Sequence, residues 1–171
     1  MASRGSSGSS SSNGGSGVVL RIIGTDLPGR VCPPGGDFPG YDNVHVAVQR
    51  KDTPSELLDL QPADAERVSW SLPCTASTTA AEGLVLGGPY IQNRLGGRFV
   101  YVSWVNLDAR GVPTMFRRGK LLLSAVTPTV LAEAVERGQL RARLTMSDEK
   151  GHPVCARLVP PRVHWNAESA A

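Results

Sequence analysis

The stretch Asn43–Arg50, NVHVAVQR, alternates without interruption between two kinds of position. Val44, Val46 and Val48 fall on one side and His45, Ala47 and Gln49 on the other, as successive side chains of a pleated strand do. The spacing predicts a β-strand whose valine side is buried and whose His45 and Gln49 point away from the core. RVSWSL (67–72) repeats the pattern, with Val68, Trp70 and Leu72 inward and two serines outward. FVYVSWV (99–105) is apolar on both sides, which predicts a central strand covered from both faces. VVLRII (18–23) is a further β-branched run, and in MFRRGKLLL (115–123) a basic trio precedes the buried leucines.

Thirteen prolines and nineteen glycines cut the chain into short pieces, as strands joined by turns require. One helix is predicted. Thr127 caps it, Pro128 takes its first position, and Arg137 and Gly138 close it. Val130, Leu131, Ala134 and Val135 form its apolar stripe, with Glu133 and Glu136 toward water. QLRARLTM (139–146) alternates again, with Leu140, Ala142, Leu144 and Met146 on the core side. Residues 148–151 turn it into PVCARLV (153–159) as a terminal hairpin. The fold class is therefore mainly β, an antiparallel β-sandwich or small barrel of about seven strands with one short helix.

Residues 3–17 read SRGSSGSSSSNGGSG and hold no apolar side chain. They predict a disordered tail over 1–17, a single domain over 18–165 and a short C-terminal tail over 166–171. Arg4 is followed by no apolar stretch, so no secretory signal is expected. The apolar runs are too short to span a bilayer, and a cytoplasmic location with no membrane partner is expected. Three cysteines, Cys32, Cys74 and Cys155, are an odd and scattered set that makes no disulfide framework. With His45, His152 and His164 equally scattered, no metal ligand spacing exists, and neither metal nor cofactor is expected. Cys74 and Cys155 read as small hydrophobes, Cys32 as the exposed thiol.

A net charge of +3 is modest, but arginines cluster at 94 and 98, at 117 and 118 beside Lys120, and at 141 and 143. The segment GGPYIQNRLGGRFVYVSW (87–104) sets two Gly-Gly pairs around Tyr90, Gln92, Asn93 and Arg94. Glycines permit close backbone approach, so amides around Gly96 and Gly97 beside Arg98 make a candidate anion nest. The segment lacks the G-x-x-x-x-G-K spacing of a nucleotide loop. Within 115–123, Arg118 shares a side with Lys120 and is expected to face the ligand with Arg98. Arg117 sides with Leu121 and is expected to cover apolar surface. No G-x-S-x-G element and no acid/base pair stands out.

LRIIGTDLPGR, DNVHVAVQR, GPYIQNRLGGRFVYVSW and FRRGKLLL, in this order, resemble a bacterial family of uncharacterised small proteins, domain of unknown function 5990. The resemblance spans most of 18–165 and implies one domain but no activity, cofactor or catalytic residue. From the residues themselves, the expected function is a non-catalytic binding module that presents a basic face to an anionic small molecule or protein. Low aromatic content, 5%, argues against nucleic acid. The alternative is a small enzyme with a pocket near His45, Tyr90, Arg98 and Arg118, whose sign is an enclosed pocket holding them. A third reading, a structural subunit, would show as an exposed apolar patch.

Overall fold

The computed structural model describes residues 15–25, 44–50, 57–63, 65–79, 83–94, 97–145 and 162–169. They form two sheets. The first has the order β10-β9-β1-β4-β5 and the second β3-β2-β7-β6, with β8 on the other edge of β7. The first sheet comprises β1 (Ser16–Thr25), β4 (Val68–Thr79), β5 (Gly83–Gly87), β9 (Gly138–Thr145) and β10 (Arg162–Ser169). The second comprises β2 (Val44–Gln49), β3 (Leu57–Pro62), β6 (Gln92–Arg94), β7 (Gly97–Leu107) and β8 (Pro113–Leu122). The class is mainly β, as the alternation predicts, and most pairings are antiparallel. The exception is β1 with β9, which run parallel. A local residue pattern carries no strand direction, so this pairing had no signature in the sequence.

One core fills the space between the sheets. From the first sheet it takes Val18, Leu20, Ile22, Val68, Trp70, Leu72, Leu140, Ala142 and Leu144; from the second, Val46, Val48, Val100, Val102, Trp104 and Leu121. These are the sides that period-2 alternation assigns to the interior, and Val46 and Trp104, cross-strand partners, are 0% and 1% exposed. The second side of β7 is covered as well: Phe99, Tyr101, Ser103 and Val105 are all buried. Gln49 lies on that second side and is 1% exposed, not solvated as the pattern implied. The Ser103 hydroxyl donates to its Oε1 at 2.8 Å, which offsets the cost of burying the amide. Alternation separates two faces of a strand but does not say what lies over each.

Side-chain bonds tie the sheets together at one edge. The Trp70 indole N–H donates to the Asp59 carbonyl at 3.0 Å. The Gln61 amide both donates to the Ser69 carbonyl and accepts from the Ser69 N–H. Asp59 has φ 45°, where β3 bulges against β2 between Val46 and Val48; Asp is among the few side chains that tolerate this region. At the β7–β8 turn, Asp108 Oδ1 accepts from the N–H groups of Arg110 and Val112, and Gly111 takes φ 78°.

Helix α1 spans Pro128–Arg137. The Thr127 side chain accepts from the Val130 N–H, and Gly138, at φ 83°, bonds back to the Ala134 carbonyl, so both ends close as the sequence predicts. Ala134 is fully buried, and Val130, Leu131 and Val135 pack half-buried on the core. A 3-10 turn at Leu123–Ala125 connects β8 to the helix. No helix among the described residues is long and apolar enough to cross a membrane.

The C-terminal expectations need correction. The antiparallel partner of β9 is Arg162–Ser169, and its other edge is taken by β1. Residues 166–169 are therefore strand, not tail. At the N-terminus β1 begins at Ser16, two positions before the expected boundary, with Ser16 and Gly17 paired to Ala76 and Thr75. PVCARLV (153–159), Met146, Cys32 and Cys155 lie outside the described residues.

Cys74 continues the inward row of β4 and is 5% exposed. Burial pushes its thiol up from an ordinary 9.0 to about 11, a backbone hydrogen bond from Leu20 pulling slightly the other way. The folded chain thus keeps this proton in a pH range where the unfolded chain has lost it. Its contribution to stability is intact below about 9 and falls as pH rises toward 11. In a Cys32→Ser, Cys155→Ser background, Cys74 should resist alkylation until the chain is unfolded. The alkaline loss of stability should be shallower in Cys74→Ala, and equal slopes for both chains would contradict this assignment.

Candidate anion-binding face

Of the residues singled out in the sequence, Arg98 pairs with Asn93 and keeps the strand parity of Val100, Val102 and Trp104. It sits half-buried at the end of the core, where it lines a cleft. Arg118 pairs with Ser103 and Lys120 with Tyr101, so both positions belong to the opposite parity. Positions 98 and 118 therefore fall on opposite sides of the second sheet. Parity within a strand can be read from its sequence, but the register between two strands cannot, and the β7–β8 register is what sets these positions on opposite sides. Position 117 pairs with Trp104 and has the strand parity of Leu121.

His45 lies half-buried opposite Val105, on the Lys120 side of the second sheet. There the Lys120 ammonium sits 4.8 Å from the centre of the Phe99 ring and 5.9 Å from that of Tyr101. Tyr90 precedes β6 and packs against the core, with the Arg50 guanidinium 5.8 Å from its ring centre. Gly97 begins β7 opposite Arg94. Gly96 lies outside the described residues. Among the described side chains, neither His45 nor Tyr90 lines the cleft at Arg98. Among the described residues, no three His, Cys, Asp or Glu side chains are placed to hold a metal ion.

A different set of arginines comes together on the outer face of the first sheet. The register aligns four rows across it. Pro73, Val19, Gln139 and Glu168 form the first, and Ser71, Arg21, Arg141 and Asn166 the second. Ser69, Ile23, Arg143 and His164 form the third, and Thr25, Thr145 and Arg162 the last. Neighbouring strands lie only ~4.8 Å apart, so Arg21 and Arg141 stand side by side, with Arg143 one pleat repeat further along. Arg67, just ahead of β4, is exposed at the same end.

Glu168 is the acidic residue in these rows. It forms an ion pair with Arg141 and accepts from the Gln139 amide at 3.0 Å. Arg141 Nε also donates to Asn166 Oδ1 at 3.1 Å. Among the described residues no carboxylate pairs with Arg21 or Arg143. Like charges directly opposite each other in a sheet oppose folding, so stability alone does not account for the pair. Arg143, Arg162 and His164 are exposed, Arg21 and Arg141 are half-buried, and Ile23 beside Arg143 is buried; Val19, in the first row, is 36% exposed. Arg141 and Arg143 were visible as a cluster in the sequence. Arg21 was not, since only the parallel pairing brings it there.

The chain is thus mainly β, two packed sheets that carry Arg21, Arg141 and Arg143 in adjacent rows on the outer face of one of them. Residues 18–168 match a family of unknown function (DUF5990), and the chain belongs to that family. No curated protein matches it, and no solved structure does.

Proposed function

We propose that the protein is a non-catalytic binding module and that the outer face of the first sheet receives an acidic protein partner. The observation that carries this is the placement of half-buried Arg21 beside half-buried Arg141, with exposed Arg143 next along, on an outer face with one acidic side chain in its rows. Guanidinium groups bind carboxylates as a two-pronged fork, so adjacent arginines suit a partner with several carboxylates. Val19 and Pro73, both exposed, interleave apolar surface with the charges, a mixture typical of protein interfaces, where arginine is enriched. The rows hold no Phe, Tyr or Trp on which a nucleic-acid base would stack.

Poly-L-glutamate serves as the probe, measured by fluorescence anisotropy at low and raised salt. The full chain should bind it in a salt-sensitive way. An Arg21→Ser, Arg143→Ser variant should bind roughly tenfold or more weakly. Its melting temperature should be equal or higher, because the variant relieves like-charge repulsion. Failure of the full chain to bind, or undiminished binding by the variant, would overturn the reading. Tighter binding of duplex DNA than of poly-L-glutamate would reassign the partner.

A further inference from the structure

We infer that the protein has a second binding site, independent of the basic face. It is the cleft at Arg98, and its ligand is a small amphiphile with one carboxylate and an apolar body. The cleft measures about 520 Å³, within the ~300–1,000 Å³ usual for sites that take small organic molecules. Its walls come from three directions. Leu84 and Leu86 rise from β5, Leu123 and Val126 from the turn after β8, and Leu131 from α1. Leu86 and Val126 belong to the buried core, and Leu84, Leu123 and Leu131 pack half-buried against it, so the walls are anchored.

Among the described residues, Arg98 is the charged group in this lining, with the Ser124 hydroxyl as a second polar group. Its strand parity is that of the core, a position where an apolar side chain would ordinarily sit. A guanidinium there is tolerable only where its head meets water or hydrogen-bond acceptors. Its five N–H donors leave room for a ligand anion beside any protein acceptor. One arginine in apolar surroundings matches one monoanionic fork, that of a carboxylate, better than a doubly charged phosphate. The walls supply what a carboxylate with a short aliphatic chain needs: apolar burial for the chain and a fixed cation for the head.

Octanoate, octanol and octyl phosphate are suitable probes, titrated by calorimetry against the full chain. Octanoate should bind about tenfold more tightly than octanol, the difference being the Arg98 contact, and more tightly than octyl phosphate, whose second charge would be desolvated without a counter-ion. Arg98→Met keeps a long apolar stem in place, so it should fold, still bind octanol, and lose the preference for octanoate. Methyl NMR shifts caused by octanoate should appear at Leu84, Leu123 and Leu131. The Arg21→Ser, Arg143→Ser variant should bind octanoate as the parent does, which separates this site from the basic face. The inference is overturned if the full chain binds neither octanoate nor octanol, or if Arg98→Met keeps the preference. Shifts confined to other leucines would overturn it too, and tighter binding of octyl phosphate would overturn the carboxylate assignment.

Discussion

Replacing Val46 with Asp is expected to leave no cooperatively folded protein. Val46 is fully buried in β2, directly across from Trp104 of β7, in the core between the sheets. An aspartate there must either ionise without a partner or take up a proton and stay neutral, and both cost several kcal/mol. Domains of this size have a total stability of ~5–15 kcal/mol, so a cost of that order consumes most of it. Val46→Ala provides a measurable smaller step, with a loss of about 2 kcal/mol in urea unfolding. Leu60→Asp, on the neighbouring β3 and 37% exposed, is the control and should shift stability by at most about 0.5 kcal/mol. A Val46→Asp chain that melts near the parent would mean the valine row of β2 does not face the core.

That strand was legible because its alternation is strict, and so was the Val68, Trp70, Leu72 row of β4. The ends of α1 were legible for a different reason. Thr127, Pro128 and Gly138 act on their own neighbours, so their roles need no knowledge of the rest of the fold. β6 and β3 were not found in the sequence. β6 has three residues, too few to show a period, and β3 is interrupted by the bulge at Asp59. β5 and β10 have no place in the sequence reading either: the last expected strand is 153–159, and the domain closes at Trp165 because Asn166, Glu168 and Ser169 look like a polar end. Yet Val163, Trp165 and Ala167 do alternate, and they pack half-buried on the core as an edge strand would.

The candidate site was less legible than the fold, and the reason is register. Arg141 and Arg143 could be placed on one side of a strand from sequence, but their neighbours could not. Arg21 meets Arg141 through the parallel β1–β9 pairing, and His164 meets Arg143 through β10. Arg98 and Arg118 illustrate the converse. Each was assigned to a side of its own strand, and only the β7–β8 register shows that those sides are opposite. Strand parity is a property of a segment, whereas the composition of a face is a property of the sheet.

Removing residues 162–171 should unfold the domain as completely as Val46→Asp does, by a different route. β10 pairs with β9 along eight positions, from Arg162 opposite Thr145 to Ser169 opposite Gly138. Its inner side places Val163, Trp165 and Ala167 against the core, and α1 packs along it. Losing a large, partly buried aromatic alone costs about 3 kcal/mol or more. The deletion also frees the whole edge of β9 and uncovers the side of the helix. An unpaired edge of that length is a template for association, so the shortened chain should aggregate as well as lose its cooperative melt. A cut after Trp165 tests the strand beyond that point. It retains the indole but removes Ala167 from the core and takes Asn166 and Glu168 from Arg141. Arg141 is then left without its counter-ion beside Arg21, and about 1–3 kcal/mol should be lost, a fall in melting temperature of roughly 5 °C. Replacing Arg21 with Ser in that shortened chain should restore part of the loss, because it removes the repulsion that the missing Glu168 no longer offsets. Melting identical to the full chain after the cut at Trp165 would mean that pairing from Asn166 to Ser169 contributes nothing. A drop that Arg21→Ser does not relieve would place the loss in packing and backbone pairing, and not in the charge row.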